Sequence, residues 1–224
     1  METSIHKTEV LRCLSRRGIT LNGETQPALD EGIALMRNAV RPAVLLQRFA
    51  LFWQGEELFL SRPGVLLPGE EIRRYLAGCG EAAVLAATLG RDADRLISAA
   101  GETDPDKACL LSACAAVALE QLCAASEREL GIKANAEGKF ITLRFLSGCG
   151  DFPVQSRKAL LSAVDAPCKI GLSAGDDGVF SPAQSVAAVI GISGSPILDS
   201  RKNCEMCCLL DRCQYKKDGC HCGE

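Results

Sequence analysis

The chain has 224 residues, 25 basic and 28 acidic side chains for a net charge of −3, 4% aromatic residues and a single tryptophan. That length allows one substantial domain with its own core and a tail beyond it. The charges are spread without long blocks and the aromatics are few, which argues against nucleic acid and anionic membrane surfaces as partners. The opening Met1-Glu2-Thr3-Ser4-Ile5-His6-Lys7 has no apolar signal region, and the longest apolar stretch, residues 108–119, falls short of the roughly 18 residues of a membrane helix. The expectation is a soluble, cytoplasmic protein. Thirteen cysteines in a reducing compartment do not make a disulfide framework, so their distribution becomes the question.

In chain order, Glu9, Val10, Leu11, Arg12, Cys13 and Leu14 show helical spacing and Gly18 a stop. A second amphipathic helix is predicted over residues 27–40, with Leu29, Ile33 and Met36 on its apolar face. Residues 44–52 and 58–60 flank Gln54-Gly55 as a hairpin. After Pro63 and Pro68, Gly69-Glu70-Glu71 opens a helix whose acidic first turn suits its dipole. Residues 81–89 form an alanine-rich apolar element, and residues 91–100 a short helix burying Leu96 and Ile97. The longest helix has Asp104 as N-cap, Pro105 at its first position and Gly131 as its stop. Its first half is apolar on nearly every face, so Cys109, Cys114 and Cys123, like Cys13 and Cys79, read as small core residues.

The stretch Phe140-Ile141-Thr142-Leu143-Arg144-Phe145 then reads as a buried strand that delivers one cation to the loop Leu146-Ser147-Gly148-Cys149-Gly150-Asp151-Phe152-Pro153. A helix follows over residues 153–164. Strand, glycine loop and helix in that order can hold a small anionic or zwitterionic ligand. The alternative is an arginine that pairs a neighbouring carboxylate at a sheet edge. Residues 169–172 and 185–192 read as two more strands, joined by the loop 174–180. Without a repeating βαβ rhythm, the elements favour an α+β domain, a mainly antiparallel sheet flanked by helices, followed by a cysteine-rich C-terminal tail. No GxGxxG or P-loop pattern is present. His6 and His221 lie at opposite ends of the chain, which disfavours a Cys149–His nucleophile pair. Asp176-Asp177 in its glycine loop reads as a solvated turn.

Six of the thirteen cysteines fall within the last 21 residues: Cys204, Cys207, Cys208, Cys213, Cys220 and Cys222, with His221 among them. So dense a set in a segment too short for a hydrophobic core points to metal. Zinc needs four of these ligands, and so does an iron–sulfur cluster, although the spacing is not a standard ferredoxin run. Residues 1–200 and 201–224 are the two expected units.

Residues 8–195 resemble the activation domain of cobalamin-dependent methionine synthases, whose signature is an arginine, three residues, then Gly-Tyr. The match is carried by Arg144 and Gly148, by Leu67-Pro68-Gly69-Glu70-Glu71-Ile72, by Ala86-Ala87-Thr88-Leu89-Gly90, by the helix from Asp104, and by Lys169-Ile170-Gly171 through Ser181-Pro182 to Ser185-Val186. Cys149 stands where that family has tyrosine. The resemblance implies S-adenosylmethionine bound by Arg144, Gly148 and Cys149. It implies reductive reactivation of cobalamin carried by a separate corrinoid methyltransferase, with an electron-donor protein. A redox task fits an iron–sulfur cluster in the tail better than zinc. The contrasting reading is a non-catalytic scaffold that kept the fold and lost the methyl donor.

Metal analysis tests the tail directly. Protein purified without oxygen should carry stoichiometric iron with sulfide, or zinc, and deleting residues 201–224 should remove the metal while leaving the domain folded. Metal-free protein with all six tail thiols titratable would overturn the metal reading.

Overall fold

A computed structural model describes residues 5–16, 26–62 and 64–196. The tail cysteines and Gly18 lie outside the described residues. Eight strands and seven helices follow in chain order: α1 Lys7–Arg16, α2 Gln26–Ala39, β1 Ala43–Gln54, β2 Glu57–Leu60, β3 Val65–Leu66, α3 Glu70–Tyr75, β4 Glu81–Thr88, α4 Arg91–Thr103, α5 Pro105–Ala136, β5 Phe140–Leu146, α6 Ser156–Ala163, α7 Ala166–Ile170, β6 Ser173–Ala174, β7 Phe180–Ser181 and β8 Ser185–Ser193. Six strands make one sheet in the order β3-β2-β1-β4-β8-β5, antiparallel throughout. The α+β expectation is met.

The alanine-rich element is the central strand. Side chains alternate across a strand, and both faces of β4 are covered: Ala83, Leu85 and Ala87 enter one core with α1, α2, α4 and α5, while Ala82, Val84 and Ala86 enter another with α3, α6 and α7. β8 divides likewise, Ala188, Ile190 and Ile192 against Ala187 and Val189. Short side chains on β4 let helices approach from either side. Ala93 is the buried residue of α4; Leu96 and Ile97, expected inside, are half-buried against the first core.

α5 carries the first core. Asp104 caps it by accepting the Lys107 N–H at 3.0 Å, as its sequence predicts. The predicted stop at Gly131 is wrong: the helix runs 32 residues, to Ala136. Gly131 is instead a contact point, since a methyl built there would lie 3.4 Å from Ile141 Cδ1. At this length α5 is long and apolar enough to cross a membrane by composition, with a mean hydropathy of 1.8 and 56% of that window buried inside the fold. Cys114 and Cys123 are buried in it, and burial pushes each thiol up to about 12. Cys13, Cys79 and Cys109 are half-buried.

An ion network closes the far end of α5 onto the sheet. Arg48 on β1 donates to Glu81 at 2.7 Å and to Glu137 at 2.5 Å, and Lys139 reaches both acids. Hydrogen bonds from Arg48 and then Lys139 pull the Glu137 carboxyl down to about 2. A second correction concerns residues 169–172. Residues 166–170 form a helical turn there, α7, with Pro167 in its first turn and Gly171 at its end, and the strand β6 begins only at Ser173.

Where β8 passes beneath α3, the fold leaves no room for a side chain. A methyl on Gly191 would sit 2.7 Å from Cys79 Sγ, 2.9 Å from Leu76 Cδ2 and 3.0 Å from Thr142 Cγ2. Gly191→Ala should therefore cost about 1–3 kcal/mol of stability, read from the urea midpoint at constant slope. An unchanged midpoint would show that this layer is not close-packed.

Candidate functional site

Among the described residues β5 is an edge strand, bonded only to β8, with a register shift between Ile141 and Arg144. The shift resets which face the later side chains take, and the pleat then sends Arg144 and Phe145 to opposite faces. Phe145 enters the second core, 5.1 Å ring to ring from Tyr75 and 6.2 Å from the fully buried Phe152. Arg144 turns to α5 instead. Its Nη1 donates to Glu127 at 2.8 Å and its Nη2 to Glu120. Burial works against the Arg144 charge, but the two glutamates outweigh it and hold the guanidinium above its ordinary value. The side chains of Arg144 and Glu127 are each 17% exposed, that of Glu120 61%. The edge-pairing alternative thus describes where Arg144 sits: two carboxylates already neutralise it.

The glycine loop turns the other way, onto α6. Ser147 is buried, its N–H and hydroxyl both donating to the Ala187 carbonyl. Gly148 N–H donates to the Phe152 carbonyl and Cys149 N–H to that of Leu146, which folds residues 147–152 into a tight double turn. Gly148 and Gly150 have φ of 95° and 54°, a region that other residues enter at a cost. Cys149, between them, is half-buried. Asp151 accepts the N–H groups of Glu70 and Glu71, so the loop caps α3.

The arginine that meets this loop is Arg157, which sequence reasoning passed over. Its Nε donates to Ser147 Oγ at 3.2 Å, its Nη2 to the Ser147 carbonyl at 3.2 Å and its Nη1 to the Gly178 carbonyl at 2.8 Å. The guanidinium lies 4.3 Å from the centre of the Phe180 ring. Burial pulls Arg157 below its ordinary value, with Cys149 opposing. One signal was available: a cation in the first turn of a helix with no acid beside it works against the helix dipole.

The loop at the mouth is thus flanked by Arg157 and Val154 against Gly148 and by the Glu71 carboxylate against Gly150, with Cys149 between them, while Arg144 faces the other side of β5. Asp176 forms an exposed pair with Lys158, and Asp177 accepts the Val179 N–H within its own turn. Among the described residues no group of His, Cys, Asp and Glu could hold a metal ion. An open cleft of about 560 Å³ lies elsewhere, against Leu46, Arg48, Leu130, Lys133 and Glu137.

Arg144 should be a stability residue whatever else it does. Arg144→Ala strands the largely buried Glu127 and should cost about 2–3 kcal/mol, below the full cost of opening a wholly buried pair. Glu120→Gln, at the exposed end, should cost less than about 1 kcal/mol. Equal effects in urea denaturation would show that the ion pair does not tie β5 to α5.

No protein-family model matches the chain, and no curated protein matches it. Among solved structures it is similar to one described as the crystal structure of the MetH reactivation domain bound to AdoHcy. The TM-score is 0.56 and the identity 11%, over 95% of this chain and 82% of that one. An identity that low speaks for the fold alone, and the fold of this chain is that of the MetH reactivation domain.

Proposed function

We propose that the chain is a reactivation module that offers S-adenosylmethionine to a separate corrinoid methyltransferase of the methionine synthase type. The single observation that carries this reading is the shared fold over 95% of the chain with a domain described as bound to AdoHcy, the demethylated form of that donor. The mouth supports it chemically, since it sets a guanidinium, a carboxylate and a partly buried thiol around a loop stripped of side chains at Gly148 and Gly150.

When bound, S-adenosylmethionine supplies the methyl group, and the partner carries the cobalamin. The residues of this chain hold and orient the donor. Gly148 lets Val154 and Arg157 pack against the loop backbone, and Cys149 stands at the donor where the related signature has a tyrosine. Arg144 is open to a ligand carboxylate only by exchange with the exposed Glu120. The six tail cysteines, Cys204 to Cys222, are proposed to hold zinc or an iron–sulfur cluster. A cluster there would relay an electron from a donor protein.

A second reading has an observation of its own. Arg144 is already paired with Glu120 and Glu127, and Cys149 lacks the ring and hydroxyl of tyrosine. A scaffold that keeps the fold without binding the methyl donor would look the same.

Equilibrium binding separates the two. Full-length protein titrated with S-adenosylhomocysteine in a calorimeter should show saturable, one-site binding. Cys149→Tyr should fold and bind at least as tightly, since an aromatic face adds contact area at the mouth. No heat and no saturation, with the fold intact, would overturn the methyl-donor reading and leave the scaffold.

A further inference from the structure

The cover over the first core thins along β1. Val44 and Leu46 pack into that core, Phe49 and Leu51 into the second. The pairing is regular from Ala43 to Gln54, so alternation puts Arg48, Ala50 and Phe52 on the same face as Leu46. Leu46 is half-buried, Ala50 is exposed and Phe52 is 41% exposed. Phe52 pairs across the sheet with Phe59, and Phe59 with Leu66, itself 37% exposed. The two rings stack at 5.3 Å. The cleft of about 560 Å³ opens this row, lined by Leu46, Arg48, Leu130, Lys133, Ala136 and Glu137. An apolar groove with a charged rim thus runs from the end of α5 towards β3, and such contiguous surface marks a place where something binds.

One segment of this chain has the reach and the chemistry to fill it. β8 ends close by: Ile192 pairs with Glu81, Glu81 with Ala50, and the Glu81 carboxylate holds Arg48 at 2.7 Å. Two strand spacings and a short step along β1 separate the end of β8 from Arg48, about 12 Å in all. The described chain runs to Pro196, and residues 197–203 can span about 23 Å. Cys204 therefore comes within reach of the groove.

From Cys204 onward the sequence has two opposed sides. Met206, Leu209, Leu210 and Cys213 fall at i, i+3, i+4 and i+7, which at about 100° per residue is one side of a helix. Cys204, Cys207 and Cys208 fall on the opposite side. Apolar anchors at that spacing are how amphipathic helices lie in grooves. A helix so short is marginal in water, so it needs a surface to form on.

We infer that the tail docks on its own domain, residues 204–213 binding as a short amphipathic helix in the groove between β1 and the end of α5. Met206, Leu209 and Leu210 meet Leu46, Leu130 and Phe52, and the thiols of Cys204, Cys207 and Cys208 face outward. The apolar side is then used for docking and the thiol side is left for a metal. The inference depends on neither the methyl donor nor the metal.

Trypsin digestion of the full-length chain, read by mass spectrometry before and after chelation, tests this at Arg212, which lies within the docked segment. Before chelation, cleavage there should be at least tenfold slower than in a free peptide of residues 197–224. Ala136→Glu and Phe52→Glu, both at exposed positions of the groove, should each restore the peptide rate, as should Leu209→Glu combined with Leu210→Glu. The tail pair alters neither core, so it carries the test if a groove variant fails to fold. Cleavage of the unaltered chain at the peptide rate overturns the docking. Slowing that vanishes on chelation and is untouched by the groove and tail variants means that metal alone orders the segment, and overturns it too. Slowing that grows with protein concentration, with a dimer seen by light scattering, gives the groove to a second copy and overturns docking within one chain.

Discussion

The constraint on which the structure depends is that β4 and β8 are covered by helices on both faces. Antiparallel sheets commonly leave one face wet, and here the two central strands have none. Every side chain of residues 82–88 is buried, and a strand so placed can carry no charge and little bulk. The alanines of β4 meet that demand, and the helices meet it from their side. Gly32 on α2 lies so close to Leu110 that a methyl there would approach within 3.0 Å, and Gly131 lies against Ile141. All polar chemistry is displaced to the ends of the sheet and to its β5 edge. The Arg48–Glu81–Glu137–Lys139 network occupies one end; the glycine loop after β5 occupies the other.

Two arginines show how position decides what a charge is for. Arg144 and Arg157 are both half-buried, and the loop 147–152 lies between them in sequence. The register shift in β5 turns Arg144 toward α5, where Glu120 and Glu127 complete it. Arg157 reaches back from α6 under the loop and, among the described residues, meets neutral oxygens and the Phe180 ring. The first arginine holds an edge strand to the longest helix. The second joins the loop after β5 to the turn between β6 and β7, so the mouth is one body assembled from two distant segments of chain. A spacing motif cannot distinguish these fates, because both depend on which face of β5 a residue takes after an irregularity that the sequence does not announce.

Much of the fold was nonetheless legible. The hairpin at Gln54-Gly55, the Asp104 cap with Pro105 and the alanine-rich strand all follow from local rules that tertiary packing then reinforces. The misreadings share a cause. Gly131 reads as a helix stop because glycine is a poor helix former, yet a close contact with Ile141 makes it useful in mid-helix. Residues 169–172 read as a strand because their apolar run is short, but Pro167, placed in the first turn of α7, favours a helical turn over the run. At the mouth, Gly148 and Cys149 could be found from the loop's composition. Arg157 and Glu71 could not, since they come from separate helices and meet only through Gly148 and Gly150. The six tail cysteines rest on sequence alone.

The exposed margin of β5 has one more consequence. An edge strand offers a row of main-chain groups on which a foreign strand could grow. Here the strand is irregular in the middle: its register shifts between Ile141 and Arg144, where the Thr142 hydroxyl accepts the Gly191 N–H on the β8 side and the Tyr75 hydroxyl donates to the Leu143 carbonyl at 3.1 Å. A peptide laid along this margin would meet that irregularity partway along the strand. Strand addition, whether by a partner or by a second copy polymerising edge to edge, is thereby discouraged, and recognition at this side of the molecule is left to side chains and loops.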